Sequence, residues 1–167
     1  MKKYLILFFT LLCCNFIYGQ SDYPKSYVNI GFGGGPNYGG FGLKSVIGYK
    51  SSGILLGAGM LSGMIGYEVG GQLSADGFFM NLGYGTYGVH INGTTGNKEL
   101  LKGGNGIIGG MINLGKKKMV FLDLGIGYSW GATYKDAWGK EVKLDTVIGI
   151  IGIGLRVVDE KKSDGWG

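Results

Sequence analysis

The chain has 167 residues, enough for one domain, and 37 of them are glycine against only 2 prolines. Glycine at about 22% is three times its usual level, yet it follows no three-residue period, which excludes collagen, and the 45% apolar, 13% aromatic and 16% charged composition excludes a disordered chain. Long helices are excluded as well, because interior glycine costs a helix about 1 kcal/mol relative to alanine and almost no ten-residue window lacks one.

In chain order, residues 1–20 come first and read as a secretory signal peptide. Lys2 and Lys3 form a positive start, Tyr4 to Ile17 is an apolar run too short for a stable transmembrane helix, and Gly19 supplies a small residue for cleavage after Gly19 or Gln20. Two other readings of this segment are an uncleaved anchor and a lipoprotein signal ending at Cys14, with Leu11 three residues before it. Cys13 and Cys14 both lie here, so the mature chain, residues 21–167, is expected to carry no thiol and no disulfide. Without Lys2 and Lys3, 14 of the 16 basic residues remain against 11 acidic ones. An excess of three, on an exported chain, argues against a nucleic-acid partner.

The mature chain repeats one pattern, apolar residues alternating with glycine or polar ones, and the period of two predicts strands. The clearest are 64–74, with Ile65, Tyr67, Val69 and Leu73 on one face, 78–87, and 119–130, where Val120, Leu122, Leu124, Ile126, Tyr128 and Trp130 share a face. Weaker examples fall at 27–33, 41–50, 53–61, 106–115 and 144–157, making eight strands in one domain, with a short polar tail over 158–167. The odd-numbered connections include the long ones, 34–40, 90–105 and 131–143, and every even-numbered connection is short. Short turns on one rim and longer loops on the other fit an up-and-down antiparallel transmembrane β-barrel whose long loops lie outside.

Strand facing decides which solvent the outer surface meets. Lys44, Glu68, Asp123 and Arg156 are the clear charges within strands, each opposite an apolar run, although Ile148 and Ile150 share the face of Arg156. Two charges of each sign predict a compensated interior cluster, with the apolar face toward lipid, where a charge near the midplane costs about 2 to 4 kcal/mol. Tyr49, Tyr84, Tyr128 and Trp130 sit near segment ends on the proposed outer face, where membrane-interface aromatics belong. Lys116, Lys117 and Lys118 form a basic turn, which is ordinarily solvated and could alternatively meet anionic headgroups. The alternative is that the four strand charges are scattered over a solvated sheet and the rings are plain core aromatics.

The chain carries little that points to catalytic chemistry, and no enzyme activity or cofactor is expected. Residues 83–88, GYGTYG, spell a phosphate-loop pattern but no helix follows them. His90 is the sole histidine and no cysteine remains in the mature chain, so no metal site is expected. His90 stands at a strand-to-loop junction without a nucleophile motif around it. Glu68 and Asp123 read as ion-pair partners rather than a glycosidase pair, and Asn92-Gly93-Thr94 is a sequon in spelling only.

Eight glycine-interrupted alternating segments behind a signal peptide resemble the small OmpA/OmpX-type outer-membrane β-barrels, over residues 27–157. The ending Tyr18-Gly19-Gln20 also resembles small exported proteins of Bacteroidota. The resemblance implies a monomer in the outer membrane, in contact with lipid and lipopolysaccharide and inserted by the assembly machinery, with loops for surface interaction or envelope integrity. Such barrels commonly end on an aromatic residue, whereas here Leu155-Arg156-Val157 runs into the polar tail. The alternative is a soluble periplasmic or secreted barrel holding a small apolar ligand.

Overall fold

The computed structural model describes residues 26–158 except 76, 94, 115–118 and 137. The signal segment, the basic turn at 116–118 and the tail beyond Val158 lie outside the described residues. The chain forms eight antiparallel strands, β1 (Ser26–Gly35), β2 (Gly40–Tyr49), β3 (Ser52–Leu61), β4 (Met64–Ala75), β5 (Phe78–Ile91), β6 (Lys98–Leu114), β7 (Val120–Lys135) and β8 (Glu141–Val158), closed in sequence order into an up-and-down barrel. Closure comes from β1 pairing with β8, Tyr27 opposite Val158 through Gly34 opposite Ile151.

The register fixes the barrel's shape. Paired positions run Asn29, Val46, Leu55, Gly70, Gly83, Asn105, Ser129 and Thr146 around the wall. Continued by the β8–β1 register, this path returns about ten residues further along the chain, which for eight strands sets a tilt of about 40°. All of these positions face inward.

Three features bear on the sequence expectation, the first two as departures from it. First, the strands are longer than the apolar alternation suggested, so the connection expected over 90–105 shrinks to residues 92–97 and that over 131–143 to residues 136–140. The extra length on β5 to β8 forms a collar above the ends of β1 to β4. It begins at irregularities between Thr86 and Gly88 on β5 and between Ser129 and Ala132 on β7. Within it His90 stacks on Tyr134 at 4.0 Å, and Tyr87 Oη donates to the Leu144 carbonyl at 2.9 Å.

Second, the connection at 34–40 does not extend outward. It folds into the barrel as a 3₁₀ turn, Pro36–Tyr38, whose three residues are all buried. Gly35 (φ 111°) and Gly39 (φ 63°) adopt the left-handed backbone needed to turn in and out, and the Gly39 N–H closes the turn on the Pro36 carbonyl at 2.8 Å. This plug rests where side chains are missing from the wall. A methyl group added at Gly57 would meet the Asn37 carbonyl, at Gly59 the Tyr38 carbonyl, and at Gly152 the Tyr38 ring.

Third, Ile148 and Ile150 face inward by design of the core rather than by exception. They pack with Tyr38, Phe79, Ile107, Met111 and Phe121 into one buried apolar cluster, and Tyr27, Val46 and Leu55 form a second. Each large side chain so buried contributes about 1.5 to 3 kcal/mol. The outer face of β8 is then Val147, Ile151, Ile153, Leu155 and Val157, all exposed.

Candidate functional site

The interior polar residues sit on inward positions of strands whose alternate positions point out, so each has its place fixed by the strand period. Lys44 on β2 and Asp123 on β7 are both fully buried and form an ion pair across the lumen. Tyr38 of the plug donates to the same Asp123 oxygen, Oδ2, at 3.1 Å. The Lys44 ammonium lies 5.2 Å from the Tyr38 ring centre, 5.6 Å from Phe79 and 6.0 Å from Phe121, within reach of cation–π attraction. The first connection is thereby bound to a charge pair on the far wall.

The expected compensation of all four charges is not what the structure forms. Arg156 lies near the rim that carries the chain ends, where its Nε donates to Asn29 Oδ1 at 3.1 Å and its Nη2 to the Met111 sulfur. Glu68 instead accepts from Asn105 Nδ2 at 2.9 Å, and its carboxylate spreads over Gly83 and Gly85 of β5. Asn105 is six residues from Met111 along β6, about 20 Å at strand rise, so Glu68 and Arg156 are at different heights. Alternation gives a residue's direction; the stagger gives its height, and the stagger separates these two. Around Glu68 the polar interior continues with Gln72, Ser74 and Asn81, all buried, with Gln72 Nε2 bonded to Ser74 Oγ at 2.9 Å.

The outer face is the reverse. Among the described residues, no charged side chain points outward between the turn at Lys50 and the collar, and the outward positions there are apolar, aromatic or glycine apart from Ser26, Ser45 and Ser52. On β7 this band runs from Val120 to Trp130, about 25 Å in height for strands tilted about 40°. Charges return on the collar's exterior at Lys102, Lys135, Glu141, Lys143 and Asp145, all exposed.

Of the four aromatics singled out above, all point outward and are 41% to 59% exposed. Tyr84 and Trp130 flank Gly104 in register and Tyr128 stands opposite Gly106, so these three share the collar edge of the band. Tyr49 is at the opposite edge, beside the Lys50 turn. The Trp130 ring occupies the space over Gly104, where a methyl group would collide with it. Gly71 and Gly110 also face out, with nothing but a carbonyl at 3.9 Å beside either, and nothing in the structure explains them.

The chemistry-bearing patterns do not assemble. His90 stacks on Tyr134 in the collar, away from any buried carboxylate, and residues 83–88 lie within β5. No group of three metal-ligating His, Cys, Asp or Glu side chains occurs among the described residues, and no helix there is long and apolar enough to cross a membrane. Sequence reasoning missed Asn37, Tyr38 and Asn105 as interior polar residues, because they fall in the expected connections. The signal available was the inward-facing glycines at 57, 59 and 66, a run of small positions wide enough to seat a backbone. Comparison with family models, with curated proteins and with solved structures returned no match.

Proposed function

We propose that this chain is a non-catalytic outer-membrane β-barrel, of the OmpA/OmpX-like kind that its strand pattern resembles, exported by its N-terminal segment and monomeric in the bilayer. One observation carries the reading: the wall is uncharged and apolar outside, all the way round, while lysine, glutamate, aspartate and amides sit inside. A monomer in water rarely exposes a contiguous apolar patch beyond about 300 to 600 Å², and the band here encircles the molecule. Its height suits the apolar zone of an outer-membrane barrel, about 25 Å. Tyr84, Tyr128 and Trp130 at one edge and Tyr49 at the other suit the two interfaces.

In this reading the Lys50 turn and both chain ends face the periplasm, and the charged collar stands outside among lipopolysaccharide headgroups. The collar serves surface interaction or envelope integrity. A soluble barrel that carries an apolar ligand needs the opposite arrangement, an apolar lumen and a solvated wall. Here the lumen is filled by the plug, the aromatic cluster and the ion pair.

The test is refolding of the mature chain with and without detergent. The expected result is a folded monomer only in detergent or vesicles, with a heat-modifiable shift on gels. A monomeric, fully folded chain in plain buffer overturns the proposal.

A further inference from the structure

Glu68 is 1% exposed and has no cation beside it among the described residues. Its nearest basic neighbour in register is Lys44, two strands away through Gly57, but the Lys44 ammonium is committed to Asp123. Asn105 presents its N–H to Glu68 Oε1. A buried carboxylate either takes up a proton or keeps its charge beside a counter-charge.

The surroundings supply oxygen rather than nitrogen cations. Glu68 Oε2, Gln72 Oε1, Asn81 Oδ1, Asn105 Oδ1 and Asn37 Oδ1 are all buried without a hydrogen-bond partner, as are the Nδ2 groups of Asn37 and Asn81. Four of them come from three adjacent strands: Gln72 faces Asn81 directly, Asn105 is opposite Gly83, and the Glu68 carboxylate lies over Gly83 and Gly85. The group forms an elongated patch: Gln72 and Asn81 lie four residues from the level of Glu68, about 13 Å at strand rise, while Asn105 is bonded to the carboxylate itself. Asn37 is carried by the plug, whose carbonyl rests on Gly57, the register partner of Glu68. The plug therefore covers the patch from the collar side.

We infer that Glu68, with the amide oxygens of Asn37 and Asn105, forms a binding site for one alkali cation inside the barrel. A single carboxylate with neutral amide oxygens matches a single positive charge. Tight calcium sites collect several carboxylates, and magnesium sheds its water reluctantly. The site depends only on the interior geometry, so it stands whether the barrel lies in a membrane or in water.

The experiment measures thermal unfolding of the folded full chain in detergent, titrated with sodium, potassium or rubidium chloride against choline chloride at matched ionic strength. Binding to the native state alone raises Tm with ion concentration. The expected result is such a rise for the wild type with at least one alkali ion, and none for Glu68→Gln, which keeps the shape and removes the charge. A rubidium anomalous-scattering peak between Glu68 and Asn105 in crystals is the independent readout. Equal responses of wild type and E68Q overturn the inference, and so does a wild type whose Tm follows pH but ignores the alkali ion. Absence of a rubidium peak together with a flat titration overturns it as well.

Discussion

Removing the ammonium of Lys44 by Lys44→Met tests how the lumen is held together. Lys44 and Asp123 have side-chain exposures of 0% and 0%, and the cage of Tyr38, Phe79 and Phe121 leaves the orphaned carboxylate only the Tyr38 hydroxyl. Breaking a buried pair by removing one partner costs about 3 to 5 kcal/mol, whereas replacing both partners with apolar side chains is often neutral or stabilising by about 1 to 4 kcal/mol. Lys44→Met should therefore lower the folding equilibrium constant by roughly two to three and a half decades. Asp123→Leu should do the same, and the double variant should regain most of the loss. Urea unfolding in detergent or vesicles, followed by tryptophan emission, supplies all four corners of the cycle. A cost below about 1 kcal/mol for Lys44→Met, the range of solvated surface pairs, would mean that water reaches the pair and would refute a packed lumen.

Two further outcomes follow from the wall and the plug. Gly152→Val pushes side-chain atoms into the Tyr38 ring; it should cost about 1 to 3 kcal/mol by overpacking, with much of this relieved by Tyr38→Ala in the same chain, as read by Tm. Ile126→Arg, at a position 60% exposed in the middle of the apolar band, should cost about 2 to 4 kcal/mol in vesicle refolding, while a water-soluble barrel would accept it without loss.

The number of strands and the sense of each face were legible because alternation is a direct consequence of strand geometry. Val120 to Trp130 shows this, with every second residue apolar and the rest small or polar. The collar was not legible because the cue was apolar alternation, and on residues 98–102 and 141–145 the outward positions carry lysine, glutamate and aspartate. Those strands continue through hydrogen bonds while their outer face changes solvent. The inward fold of 34–40 was hidden for another reason: Gly-Pro-Asn-Tyr-Gly-Gly specifies a tight turn, and nothing local specifies which side of the wall it takes. That choice depends on Gly57, Gly59 and Gly152, far along the chain. The split of Glu68 from Arg156 required the register, which the sequence period leaves free.

The plug also joins events that a simple meander would keep separate. Its Tyr38 ring lies against Gly31 and Gly152, residues that pair with neighbours across the β1–β8 seam, and its hydroxyl reaches Asp123 on β7. The tip of the first hairpin can reach this seat only when the last two strands arrive. Closure of the cylinder and seating of the tip are then coupled, and the chain's first turn reports that its final strand is in place.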